Sequence, residues 1–458
     1  MERQRPSHPM KRPIEVPAAS VVALTALSAL ALAVVLALSL HGDRYFPRAD
    51  DWGVVPLLTG NADVPSALWE QNNEHRLPLP LLWMWAALAL GGGDFRWSCA
   101  SNTVLAMGAA IALLAATRRA RGQLLFTDIV IPLLVLNPGN NIHMWGFHAQ
   151  FTSSMAILLV LLGFLLRPPD ASVSLRGWIG FGAGMAALPL CGLNGLIPAI
   201  LLALGLLAHP LPGRPRDARD DGARRALRLG SVAALGSTAL VLVGYQLPEH
   251  VGAARSPGAV LLMTGRVLVS PLGTLPPLAS WCALSLLAVS AAVGLRPGRR
   301  ETAGDARRTW LLFLFSLACV GLAFSVGWGR SIRSWRDGMQ GHFAALAVPL
   351  WCSVYLLQAT AQDRASRVVR VLLAALVATA FVQQIPRAWA SAEILRARAA
   401  TLGAAIDAGA SAEEIVDTHF DLMSNVDSEH MRAIVILGLR QLQAYGAERY
   451  ARLGSAAR

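Results

Sequence analysis

Apolar runs of about 17 to 23 residues recur along the whole chain, each the length of helix that crosses a bilayer core. That recurrence constrains the fold more than any motif does. Composition agrees: 54% of residues are hydrophobic and 15% charged, against roughly 25% charged in an ordinary soluble domain. The sequence therefore predicts an all-α polytopic membrane protein.

Spanning runs lie near 18–40, 97–117, 124–137, 150–166, 177–191, 193–209, 230–246, 274–295, 310–328, 342–361 and 367–385. Two further runs, 77–91 and 257–272, are interrupted, the second by Arg266 at its middle. The net charge is +12, and Lys11 is the only lysine, so arginine carries the excess. Short arginine-rich loops mark the cytoplasmic side of a membrane protein. The loops at 118–121, 167–176, 210–230, 296–308 and 363–370 all fall on the side of the N-terminus if both interrupted runs stay at the interface. This gives eleven spanning helices and two interfacial ones. An arginine at the centre of a spanning helix is costly, which favours the same count; the alternative, with both runs crossing, is thirteen.

The expected organisation is a cytoplasmic tail at 1–17, a transmembrane domain at 18–385 with its first outer loop at 41–96, and an extracytoplasmic helical domain at 386–458. The first run, longer than a signal-peptide core, reads as a retained helix. The last segment is amphipathic, with helix caps at Ser411 and at Ser424 or Asn425. No basic patch with interleaved aromatics points to nucleic acid. The cysteines, Cys99, Cys191, Cys282, Cys319 and Cys352, have no metal-type spacing and read as small apolar residues. In "GWIGFGAG", Gly180 and Gly184 have the spacing of a helix–helix contact.

Ionisable residues gather in the outer loops. Asp50 and Asp51 follow the first helix, where a carboxylate suits a general base or a divalent cation; they also suit the cap of a helix starting at Trp52. Glu74, His75 and Arg76 precede the first interfacial helix and offer an acid–base or metal-ligand pair beside a phosphate-binding fork. The loop "NPGNNIHMWGFHAQF" is uncharged; its His143, Trp145 and His148 suit a sugar ring or an aromatic belt at the interface. Arg330, Arg333 and Arg336 recur every third residue on the side where few arginines are expected. With Arg266, they point to an anion, most simply a phosphate, or to lipid head groups.

"ADDW" at 49–52 and "NEHRLPLP" at 73–80 resemble, in position and type, the first-loop motif of the GT-C superfamily of membrane glycosyltransferases. That superfamily includes protein O-mannosyltransferases and the aminoarabinose transferases that modify lipid A. The likeness covers about the first 340 residues as architecture and about thirty as motif; the acid that many members carry after the third span is replaced here by Asn141, His143 and His148. It implies an inverting transferase in a bacterial inner membrane, moving a sugar from a polyprenyl-phosphate donor to an extracytoplasmic glycan, lipid or protein.

On that resemblance Asp51 is the base, with Asp50 or Glu74 assisting or holding a divalent metal ion. Arg266, Arg330 and Arg333 bind the leaving phosphate. His75, Arg76, His143, Trp145 and His148 bind substrate. Two other readings stand beside it. A flippase for an anionic lipid or glycan would need ionisable residues near the midplane of its spans. A lipid-linked polymer ligase would rely on a loop histidine, His148 or His342.

Overall fold

Within an apolar run the backbone satisfies its own N–H and C=O groups most cheaply as a helix, and the apolar runs fold that way. The computed structural model describes residues 18–42, 45–141, 144–166, 175–208, 218–246, 256–273, 275, 277–296, 303–331, 341–361, 363–424 and 426–455. Helix α1 is Ala18–His41. The loop after it holds a 3-10 turn, Ala49–Val54, and the short helices α2 (Val55–Leu58) and α3 (Val64–Trp69). A tiny antiparallel hairpin then pairs Gln71 with Arg76 and Asn72 with His75. Helices α4 (Pro78–Leu90), α5 (Phe95–Arg121), α6 (Val130–Val135) and α7 (Ala149–Leu165) follow. Next come α8 (Leu175–Ala187), α9 (Leu193–Ala208), α10 (Ala218–Leu242) and α11 (Pro257–Val269). The chain continues through α12 (Pro277–Gly294), α13 (Ala303–Arg330), α14 (Gly341–Ala359) and the 44-residue α15 (Arg364–Asp407). It closes with α16 (Ala412–Met423) and α17 (Glu429–Ala444).

Among the described residues, 8 helices are long and apolar enough to cross a membrane, and they coincide with eight of the eleven expected spans. The other three are shorter. Residues 177–191 form the 13-residue α8 and a 3-10 turn, and 193–209 form the 16-residue α9. The run at 124–137 departs furthest, with a 3-10 turn at Phe126–Ile129 and only 6 residues in α6. The cause is Asp128, fully buried, which accepts the Leu125 N–H at 2.6 Å, the Tyr355 hydroxyl at 2.7 Å and the Arg121 guanidinium. An acid drawn to those partners sets a turn where hydropathy alone predicts a through-going helix. The two interrupted runs become α4 and α11, of 13 residues each; that is about 20 Å of rise, short of a bilayer core of about 30 Å.

Helix α14 runs through the centre of the bundle, buried from Phe343 to Ala359. Helix α8 packs on α10 where Gly182 meets Gly230: a Cβ on Gly182 would stand 3.2 Å from the Gly230 Cα. The α8–α10 contact thus uses Gly182; of the expected pair, Gly184 packs on Leu161 of α7, where a Cβ would stand 3.1 Å from its side chain, and Gly180 faces open space.

A second apolar core sits at one end of the bundle. Trp52, Val55 and Leu58 of the first loop pack there with Ile406, Phe420 and Leu439 of the last three helices. The Trp52 indole donates to the Met423 carbonyl at 3.2 Å. Its ring lies against Gly438, where a Cβ would come within 2.6 Å of it. We call this end the loop face and α16–α17 the cap. The opposite end gathers Arg118, Arg119 and Arg121 at the close of α5 and Arg364, Arg367 and Arg370 at the start of α15.

Candidate functional site

At the loop face the 3-10 turn aims the two adjacent acids in different directions. Asp51 points inward and is buried; its Oδ1 accepts the Phe147 N–H at 2.9 Å and its Oδ2 the Arg48 N–H at 3.1 Å. It therefore ties the first loop to the 144–148 loop. Asn102 of α5 holds the same segment, donating to the carbonyls of Trp145 and Gly146 at 3.2 and 3.1 Å. Both Asp51 carboxylate oxygens are thus engaged by backbone amides. Asp50 stays half-buried, and burial first, then the charge of Glu74, push its carboxyl up to about 6.

Glu74 is the hub around which the other groups gather. It forms an ion pair with Arg330, the last residue of α13, brought from 256 residues away. The His75 Nε2 lies 3.7 Å from the same Glu74 oxygen. His75 Nδ1 accepts the Leu193 N–H at 3.2 Å, so the ring proton is on Nε2 and faces Glu74. Burial pushes the pKa of His75 down to about 4, with Glu74 opposing and Arg330 assisting, so the ring is neutral at ordinary pH. The Tyr245 hydroxyl closes the group by donating to the Glu74 carbonyl at 3.3 Å.

An aromatic wall stands beside these charges. The Arg330 guanidinium carbon lies 5.8 Å from the centre of the Phe343 ring. His342 and His148 have ring centres 5.3 Å apart, and Trp145 meets His148 edge-on at 4.8 Å. His148 donates from Nδ1 to the Asn141 carbonyl at 2.8 Å, and the Trp145 indole donates to the Arg48 carbonyl at 3.1 Å.

No family model and no curated protein matches the chain. Two solved structures are similar to it. ArnT from Cupriavidus metallidurans bound to undecaprenyl phosphate has a TM-score of 0.48 at 14% identity, over 96% of this chain and 77% of that one. The same protein in the apo state has a TM-score of 0.47 at 16% identity, over 95% of this chain and 78% of that one. The likeness is one of overall fold.

The remaining expected residues divide. Arg76 is taken up as a helix cap: its guanidinium donates to the carbonyls of Val241 and Gly244 at 3.0 Å each, and to that of Val243, at the end of α10. Its two terminal nitrogens thus serve carbonyls that the helix terminus would otherwise leave unpaired. Arg266 is half-buried on α11, a helix packed along α13 and α14. His143, Arg333 and Arg336 lie outside the described residues. Among the described residues no three His, Cys, Asp or Glu side chains are grouped to hold a metal ion. Of the expected candidate ligands Asp50, Asp51 and Glu74, Glu74 is paired with Arg330 and Asp51 accepts two backbone amides.

Sequence reading singled out neither Tyr245 nor Asn102, and it treated His342 only as a ligase histidine. A tyrosine or asparagine acting on a distant loop leaves no local pattern. His342 had one usable signal, its place at the start of α14 just past the arginine-rich loop.

Proposed function

We propose that the chain is a membrane glycosyltransferase that takes a sugar from a polyprenyl-phosphate donor. The observation that carries the reading is the pairing of opposites at the loop face: a carboxylate with a pKa near 6, Asp50, beside an arginine–carboxylate pair, Arg330–Glu74. Asp50 takes the proton of the acceptor hydroxyl. The acceptor oxygen attacks the anomeric carbon, the bond from that carbon to the donor phosphate oxygen breaks, and the bond electrons leave on the polyprenyl phosphate. Arg330 stabilises that growing charge from a fixed position, where a preorganised cation is most effective. Arg266 and Arg333 belong to the same phosphate set in this proposal. Trp145, His148 and His342 form the wall against which the sugar lies, with His143 nearby in sequence.

The arginines at the far end of α5 and α15 support a cytoplasmic assignment for that end by the positive-inside rule. The loop face and the cap are then extracytoplasmic, in a bacterial inner membrane, and the acceptor is a glycan, lipid or protein. Undecaprenyl phosphate, the lipid in one of the similar structures, is the donor carrier of this proposal.

Mass spectrometry of lipids retained by the purified protein tests it, with wild type beside Asp50→Asn. The expected result is a polyprenyl phosphate in the wild type and its glycosylated form accumulating in the variant. Ordinary phospholipids alone in both samples would overturn the donor assignment. The ligase reading keeps one observation, the His148–His342 ring pair; it gains ground if His342→Ala abolishes transfer while Asp50→Asn spares it.

A further inference from the structure

The Glu74–Arg330 pair raises a question that the proposed function leaves open. If Arg330 receives a phosphate, a carboxylate already occupies its guanidinium. That carboxylate also has a second donor close by, because the same Oε1 lies 3.7 Å from His75 Nε2. At 3.7 Å the contact is longer than a hydrogen bond, so a shift of under 1 Å would complete it. His75 is held ready for it: Leu193 N–H pins Nδ1 and leaves the proton on the nitrogen that faces Glu74. The Glu74 backbone is fixed in turn by Tyr245, and its neighbour His75 by the hairpin with Asn72.

We propose that Glu74 is the resident anion of a lipid-phosphate seat: it holds Arg330 until a phosphate replaces it, then swings its carboxylate onto His75. This rests on the reading of Arg330 as the phosphate-binding cation. The device sets a threshold for the seat. A ligand must be a better acceptor for a guanidinium than a carboxylate is, which phosphate, with its several charged oxygens, can be and a fatty acid is not. It also explains why a cation so close to apolar rings is never left without an anion, a state that burial would make costly.

Binding of dodecyl phosphate to the purified full chain tests the idea, measured for wild type, Glu74→Gln, Arg330→Gln and Asp50→Asn. Asp50→Asn removes an equal charge from the same neighbourhood and so reports the part due to charge alone. The expected result is an affinity about tenfold higher for Glu74→Gln than for wild type, well beyond the Asp50→Asn change, with Arg330→Gln weakened. If Glu74→Gln gains no more than Asp50→Asn while Arg330→Gln still loses affinity, the seat stands and its resident anion is refuted. If Arg330→Gln binds as wild type does, Arg330 is not the seat and both readings fail.

Discussion

The Phe147 backbone N–H donates to Asp51 Oδ1 at 2.9 Å, joining two loops that the sequence separates by 96 positions. With the Arg48 N–H on the other oxygen, Asp51 acts as a clamp. Asp51→Asn places an amide N–H₂ against one of two N–H donors and is expected to cost about 1–3 kcal/mol. A thermal melt of the detergent-solubilised variant checks this; an unchanged midpoint would show that the clamp carries no stability.

Asp50 titrates within reach of ordinary buffers, pushed up to about 6. Transfer is expected to fall as pH drops through that value, because the base must be ionised. Stability runs the other way. The folded state keeps the Asp50 proton to a higher pH than the unfolded chain, whose carboxyl titrates near 3.8, so stability declines as pH rises from about 4 to about 6. Glu74→Gln removes the second cause of the upward shift and should move the acid limb of the rate profile to lower pH. Asp50→Asn should lower the rate by about 10²–10⁴-fold. A pH–rate profile of the three proteins decides.

Arg76 caps α10 through three carbonyls, so Arg76→Gln should act on stability and leave the donor alone. A loss of about 1.5–3 kcal/mol is expected, with KM for the donor unchanged. A raised KM at unchanged stability would return Arg76 to the binding site.

Trp52 is the bolt of the cap, buried on Gly438 with its indole on the Met423 carbonyl. Trp52→Ala is expected to cost about 3–5 kcal/mol locally and to expose the junction between α16 and α17 to protease. Limited proteolysis followed by mass spectrometry reads the cleavage site; a variant as resistant as wild type would show that the cap docks through other contacts.

The helical membrane architecture was legible because hydropathy acts on each run separately. Eight spans stand where the apolar runs predict them, and Pro78 and Pro257 open short helices where the interrupted runs begin. Legibility ended where a residue depends on a distant partner. Asp128 turns an apolar run aside because Tyr355 and Arg121 reach it, and nothing local to 124–137 announces them. The loops holding the site residues were readable as ionisable clusters, yet their division of labour was not. Which of Asp50 and Asp51 faces inward is set by the 3-10 turn, and the fate of the Arg76 fork by the end of α10. Residue type gives the chemistry available; tertiary contacts decide which groups are already engaged.

Helix α15 adds a constraint on what can reach the site. At about 1.5 Å per residue its 44 residues extend roughly 66 Å, more than the 40–45 Å of a bilayer with its head groups. The same rod passes α1, where Glu393 meets His41 at 2.7 Å, and continues into the cap core at Leu402 and Ile406. The cap thus rides on a mast footed in the membrane and leans over the loop that carries Asp50. A single helix thus joins the membrane-spanning core, at Leu373 and Phe381, to the cap core, at Leu402 and Ile406, so the two apolar cores share one continuous backbone.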